Sequence, residues 1–116
     1  MPELAPEPGD VVLYKHRYSG FYEIELDELL KSRAIKTLIF TGCATSVCVE
    51  ATAHDAMYRD YVCLLLEDCM AEAIGSDLAR TNHEVSLLVM QILFGWVSDS
   101  EQLITALAGQ PVPIPS

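Results

Sequence analysis

The chain has 116 residues, 51% of them hydrophobic and 21% charged, which fits one compact domain with a core and excludes disorder for the bulk of it. Its 17 acidic against 7 basic residues give a formal net charge of −10, so neither nucleic acid nor an anionic membrane is an expected partner. No uninterrupted apolar run approaches the length that spans a bilayer.

The opening Met1-Pro2-Glu3 with Pro6, Glu7 and Pro8 reads as an extended lead-in over residues 1–9, neither a targeting peptide nor a helix start. Val11-Val12-Leu13-Tyr14 is β-branched and apolar enough for a short buried strand. A basic and aromatic loop follows, Lys15-His16-Arg17-Tyr18-Ser19-Gly20-Phe21, at the strand end where open α/β sheets bind ligands. Any single Lys is more often a solvated surface residue, but a basic cluster in an acidic chain is less easily set aside. Residues 25–33 space Leu26, Leu29 and Leu30 as a crossover helix, with acids early and bases late. Lys36 to Phe40 predicts the second strand, Ser46 to Arg59 the second helix, and Tyr61 to Leu66 the third strand, bounded by Asp60 and Glu67-Asp68. The longest helical pattern runs from Ser76 or Asp77 to Phe94, with an apolar face broad enough to meet another subunit. Gly95 to Ser98 predicts a last short strand, with a helix from Asp99 or Ser98 through Ala108 that Gly109 ends. Residues 110–116 read as a loose tail, and the domain is expected over 10–109. This alternation predicts an α/β fold: a three-layer parallel sheet of about four strands with flanking helices, Rossmann-like in class.

The stretch on which the chain turns is Thr41 to Glu50. Strand, small-residue turn and helix meet at Cys48, where unpartnered N–H groups and the positive end of the helix dipole shift a thiol toward thiolate. The same N–H groups can receive charge on a carbonyl oxygen under attack. Read alone, such a Cys is more often a small buried residue than a nucleophile. The 4 cysteines, Cys43, Cys48, Cys63 and Cys69, match neither a zinc ribbon nor a Cys-x-x-Cys pair and suit a reducing, cytoplasmic compartment. The Gly-x-Gly-x-x-Gly fingerprint and the P-loop are both absent, and no cofactor is expected. Cys63 reads as inert core, His54 and His83 as surface or helix-packing residues, and Trp96 as packing beside the last strand.

The string Gly42-Cys43-Ala44-Thr45-Ser46-Val47-Cys48-Val49-Glu50-Ala51-Thr52-Ala53-His54-Asp55-Ala56 strongly resembles the nucleophile segment of the isochorismatase-like cysteine hydrolases. That family includes nicotinamidases, N-carbamoylsarcosine amidases and ureidoacrylate amidohydrolases. Upstream, Lys15-His16-Arg17-Tyr18-Ser19-Gly20-Phe21-Tyr22 is similar to the family's lysine motif, above all in its ureidoacrylate and biuret branch, and the likeness continues through Asp68 and Asn82-His83-Glu84. The resemblance implies a partial isochorismatase-like fold and hydrolysis of a small amide through a thioester on Cys48. It implies a cis peptide between Cys43 and Ala44, an oxyanion hole from the Ala44 and Cys48 N–H groups, Lys15 as electrostatic partner, and Tyr18 and Phe21 as pocket walls. His16 is a further loop residue within reach of substrate.

The family's third catalytic residue is an Asp on the first strand, before the lysine motif, and that region is absent here. So are the metal-binding residues of nicotinamidase-type members, and no metal is assigned. Asp68 and Asp55 are the substitutes to weigh: Asp68 has the better reach, while Asp55 lies about 10 Å down the helix axis. For Asp68, bonding to nearby backbone N–H groups is the commoner fate. In the family the sheet order resembles 3-2-1-4-5-6, so two strands sit between those bearing Lys and Cys. Without them, Val11–Tyr14 either pairs directly with Lys36–Phe40 or leaves strand edges open, and Lys15 and Cys48 are not expected in family geometry by default.

Two readings follow. In the first the chain is the C-terminal part of a ureidoacrylate-like amidohydrolase that needs an Asp-bearing segment supplied, as a homo-oligomer or by complementation. In the second it is a non-catalytic, truncated paralogue that binds a full-length homologue as a structural or regulatory subunit. A redox sensor built on Cys43 and Cys48 is a distant third.

Overall fold

A computed structural model describes residues 2–15, 17–21, 25–93 and 95–109 of the chain. The expectations for His16, Tyr22, Phe94 and the tail 110–116 lie outside the described residues. The order of elements is α1 (Leu26–Ser32), β1 (Thr37–Cys43), a wide turn over Thr45–Val49, α2 (Glu50–Tyr58), β2 (Val62–Ala71), α3 (Asn82–Leu93), β3 (Trp96–Ser98) and α4 (Ser100–Leu107). The strands form a parallel sheet in the order β1-β2-β3. This is the α/β class that alternating apolar runs and helical periods predict, with helices flanking a parallel sheet.

The central strand is β2. Its Leu65 and Cys63 are almost fully buried, and they cluster with Ala53 and Ala56 of α2 and with Leu87 and Met90 of α3. Two alanines on α2 let that helix lie close to the sheet, and Met90, with no exposed surface, fills the space beside them. β1 runs in register with β2 from Thr37 opposite Val62 to Phe40 opposite Leu65, then shifts so that Gly42 faces Met70 and Cys43 faces Ala71. Gly42 has φ +113°, a conformation that L side chains rarely adopt, and this glycine re-aims the chain just before the nucleophile turn.

Four sequence expectations are corrected. The fourth strand is not formed: among the described residues β1 pairs with β2 alone, and Val11, Val12 and Tyr14 are 46%, 53% and 82% exposed. Apolar alternation needs a neighbouring ladder to become a strand, and no edge reaches this segment. β2 runs past Glu67-Asp68 to Ala71, because the shifted register keeps pairing it with the end of β1. α3 starts at Asn82 and not at Ser76. Thr81 receives the Glu84 N–H at 3.2 Å and donates to the Glu84 carboxylate at 3.1 Å, so a Thr-x-x-Glu cap overrides the helical spacing of Leu78. Trp96 is 62% exposed and so does not fill the space beside β3.

The other ends fall as expected. Asp99 caps α4 through the Gln102 N–H at 2.8 Å, and Gly109 ends it with φ +79°. α3 turns Ser86, Leu87 and Met90 inward and leaves Val85, Leu88, Val89, Ile92 and Leu93 exposed, a continuous apolar stripe. Among the described residues no helix is long and apolar enough to cross a membrane.

Candidate active site at Cys48

The site begins where β1 ends. The Cys43–Ala44 peptide bond is cis, as the resemblance implied. Ala44 is extended, with φ −92° and ψ 144°, and its carbonyl accepts the Val47 and Val49 N–H groups at 3.1 and 3.2 Å. Ala44 has no side chain with which to cap the turn, so distant residues hold it. Thr45, fully buried, shares a 2.7 Å hydrogen bond with His83 Nδ1 at the start of α3. The Ser46 N–H donates to the Glu72 carboxylate at 2.5 Å, just past the end of β2. Cys48 stands half-buried on this turn, and its carbonyl accepts the Thr52 hydroxyl at 2.7 Å.

Against expectation, Lys15 reaches this cysteine although Val11–Tyr14 is no strand: Lys15 Nζ lies 3.7 Å from Cys48 Sγ and donates to the Arg17 carbonyl at 3.1 Å. A clamp between the loop and α2 explains it. The Ser19 hydroxyl donates to Asp55, the Gly20 N–H donates to Thr52 Oγ1 at 2.9 Å, and the Phe21 N–H donates to Ser19 Oγ at 3.1 Å. A Cβ on Gly20 would stand 3.3 Å from the Thr52 methyl, so glycine permits this close approach. Thr52 Oγ1 thus links the Lys15 loop and the Cys48 turn through one oxygen.

An open depression of about 500 Å³ is lined by Lys15, Arg17, Tyr18 and Cys48. Tyr18 is 67% exposed at its edge. Phe21 is corrected as a pocket wall: it is 5% exposed, stacks on Tyr61 with ring centroids 5.9 Å apart, and lies 5.1 Å beneath the Arg59 guanidinium. Two residues after Ser19, an aromatic ring does more by anchoring the loop in the core than by facing solvent. The ammonium stands where it can offset negative charge on the sulfur, and an open depression beside it has room for a small molecule.

Neither substitute acid is free for proton transfer. The Asp55 carboxylate is held by Ser19 and lies 3.5 Å from Arg59. Asp68 accepts the Ser100 hydroxyl and, at 2.8 Å, the Ser100 N–H, and these bonds hold its carboxyl below the usual carboxylate range. Cys63 is inert core as expected: burial pushes its thiol up. Sequence reasoning missed Ser19, Thr52, Glu72 and the Thr45–His83 pair. Only Thr52 had a local signal, a hydroxyl one helical turn after Cys48 that can bond back to its carbonyl.

A parallel sheet with flanking helices thus brings a cysteine at a strand-to-helix turn and a lysine against its sulfur to one open depression. The family model for the isochorismatase domain matches residues 1–102, and the chain belongs to that hydrolase family. It is similar to an isochorismatase-like hydrolase from Alkaliphilus metalliredigens, at 36% identity over 92% of this chain and 56% of that one, with TM-score 0.82. A cysteine hydrolase from Pseudomonas syringae pv. phaseolicola matches at 30% identity over 94% of this chain and 54% of its own, with TM-score 0.86. N-carbamoylsarcosine amidase from Thermoplasma acidophilum matches at 33% identity over 87% and 54%, with TM-score 0.75. The chain therefore spans about half the length of the solved relatives it matches.

The clamp gives one prediction. Ser19→Ala removes both the bond to Asp55 and the acceptor of the Phe21 N–H, an expected loss of about 1.5 to 3 kcal/mol locally. Alkylation of Cys48 by iodoacetamide at neutral pH should fall several-fold, toward the rate of Lys15→Ala; an unchanged rate means that the clamp does not hold the lysine. Asp68 gives a second. A carboxyl depressed in the folded state adds stability that is complete above its unfolded value of about 3.9 and is lost as pH falls through the folded value. Denaturation midpoints of wild type should therefore drop more steeply than those of Asp68→Asn between about pH 5 and 2. Parallel curves would contradict the assignment.

Proposed function

We propose that this chain carries the nucleophilic half of a cysteine amidohydrolase that cleaves small amides, ureidoacrylate-like or related. The observation that supports the reading most is the 3.7 Å contact between Lys15 Nζ and Cys48 Sγ at an open depression. The Cys48 thiolate attacks the amide carbon, and the carbonyl π electrons move to oxygen, where the Ala44 and Cys48 N–H groups receive the charge. Collapse breaks the C–N bond, the nitrogen leaves with a proton, and a thioester remains on Cys48. Water then adds to the thioester carbon, and the sulfur departs to release a carboxylic acid from a simple amide or a carbamic acid from a ureido compound. The Lys15 ammonium offsets negative charge on the sulfur at the start and on its return.

The protons need an acid–base group that Asp55 and Asp68 do not supply, and in this reading it is an Asp on a further segment that completes the sheet beside β1. Lys15 and Arg17 at the depression suit a substrate with a carboxylate. The name of the N-carbamoylsarcosine amidase relative points to the same class of ureido compound. Chemistry through free thiols suits a reducing cytoplasm, and all 4 cysteines are free.

Iodoacetamide labelling with peptide mapping tests this. Cys48 is expected to label at least tenfold faster than Cys63 and Cys69 at neutral pH, and Lys15→Ala to remove most of that difference. Adding the Asp-bearing half of a relative should then yield hydrolysis of ureido amides, lost in Cys48→Ala. Equal labelling of the three cysteines would sink the proposal.

A second reading rests on a different observation. The open edge of β1, with Ile39 48% exposed, and the apolar stripe on α3 are surfaces that a homologous chain could cover. In that reading the chain is a structural or regulatory subunit, alone as a homo-oligomer or with a full-length homologue. Sedimentation should show an assembly that Ile92→Glu dissolves, and co-purification with a full-length relative should change that relative's activity. A monomer that leaves the relative unaffected excludes it.

A further inference from the structure

We propose that Glu72 is a positioning residue of the nucleophile turn, a role that rests on the amidohydrolase reading above. Cys43 of β1 faces Ala71 of β2, so Glu72 is the first residue beyond that ladder and stands beside the turn that follows Cys43. The turn over Thr45–Val49 starts without a side-chain cap of its own, because Ala44 offers none. Its early N–H groups would otherwise lack acceptors. Glu72 Oε2 takes the Ser46 N–H at 2.5 Å, a short, charge-assisted bond delivered from a neighbouring strand.

The other oxygen makes the arrangement unusual. Glu72 Oε1 is buried and has no hydrogen-bond partner among the described residues. Packing alone selects against such an atom, since a buried carboxylate oxygen left without a donor is destabilising. Its retention at the turn that carries Cys48 fits a group kept for what it fixes. The turn is gripped from two sides: Glu72 holds Ser46, and His83 of α3 holds Thr45. Between them these bonds set the direction of the backbone that leads two residues later to Cys48, opposite Lys15. Among the described residues, Lys15 and Arg17 of the loop line the depression at Cys48, His83 of α3 bonds Thr45, and Glu72 bonds Ser46. Glu72 holds the turn through the Ser46 N–H.

Two variants separate position from charge. Glu72→Gln keeps an oxygen for the Ser46 N–H, so Cys48 alkylation at neutral pH should stay near the wild-type rate. Glu72→Ala removes the acceptor, and the rate should fall about tenfold. Rescue by Gln with loss in Ala is the pattern of a positioning residue; Ala matching wild type, or Gln falling as far as Ala, overturns it. The Ser46 amide proton supplies a readout that survives a poorly folding Ala variant. In wild type it should resonate far downfield and move as a carboxylate titrates, and in Glu72→Gln that movement should vanish. A Ser46 amide indifferent to both pH and Gln overturns the proposal. Wild-type Cys48 no more reactive than Cys69 would count against the amidohydrolase reading, and the Ser46 amide then decides the hold of Glu72 by itself.

Discussion

The site depends on the contact between the lysine loop and α2, which among the described residues ties the loop that carries residue 15 to the helix that follows residue 48. A strand would normally carry such a lysine to the sheet edge, and here Val11–Tyr14 lies unpaired and exposed. The loop is fixed from its far end instead: Ser19 on Asp55, Gly20 on Thr52, and Phe21 packed on Tyr61. Each tie lands on α2 or at the start of β2, elements already held by the core. Thr52 makes the link short, since the oxygen that accepts from Gly20 also donates to the Cys48 carbonyl. Displacement of the loop is thereby coupled to the turn that bears the sulfur.

The turn itself is built in the same manner, from outside. Its local sequence, Ala44 to Val49, has no capping side chain at its start, and its geometry is imposed by His83 and Glu72 through Thr45 and Ser46. Polar bonds at such a junction have a clear physical use. Apolar packing resists compression but slides sideways, whereas a short hydrogen bond fixes direction. The core beneath, Leu65 with Ala53, Ala56 and Met90, supplies the firm base for those directional bonds.

The same core leaves two surfaces open. β1 has an unpaired outer edge among the described residues, and α3 presents five exposed apolar side chains in one stripe. A sheet edge offers backbone donors and acceptors to another strand, while an uncharged helical stripe in a chain of net charge −10 offers burial without repulsion. The chain itself spans about half the length of the solved relatives it matches.

The sequence by itself located most of the elements and the family. Apolar periods located α1, β1, α2 and β3, and the family resemblance carried by the string around Cys43 and Cys48 implied the cis peptide that the structure has. The Thr81-x-x-Glu84 cap that starts α3 was local, although the spacing of Leu78 masked it. Tertiary structure decided everything that joins distant residues. It withheld a strand from Val11–Tyr14, since a strand exists only with a partner ladder. It drew Phe21 from the expected pocket into the core, assigned Asp55 and Asp68 to holding Ser19 and Ser100, and set Glu72 and His83 on the nucleophile turn. Those pairings join residues 26 to 38 positions apart, at separations where no helical or strand period carries information, and only the packed sheet and its helices bring them within bonding distance.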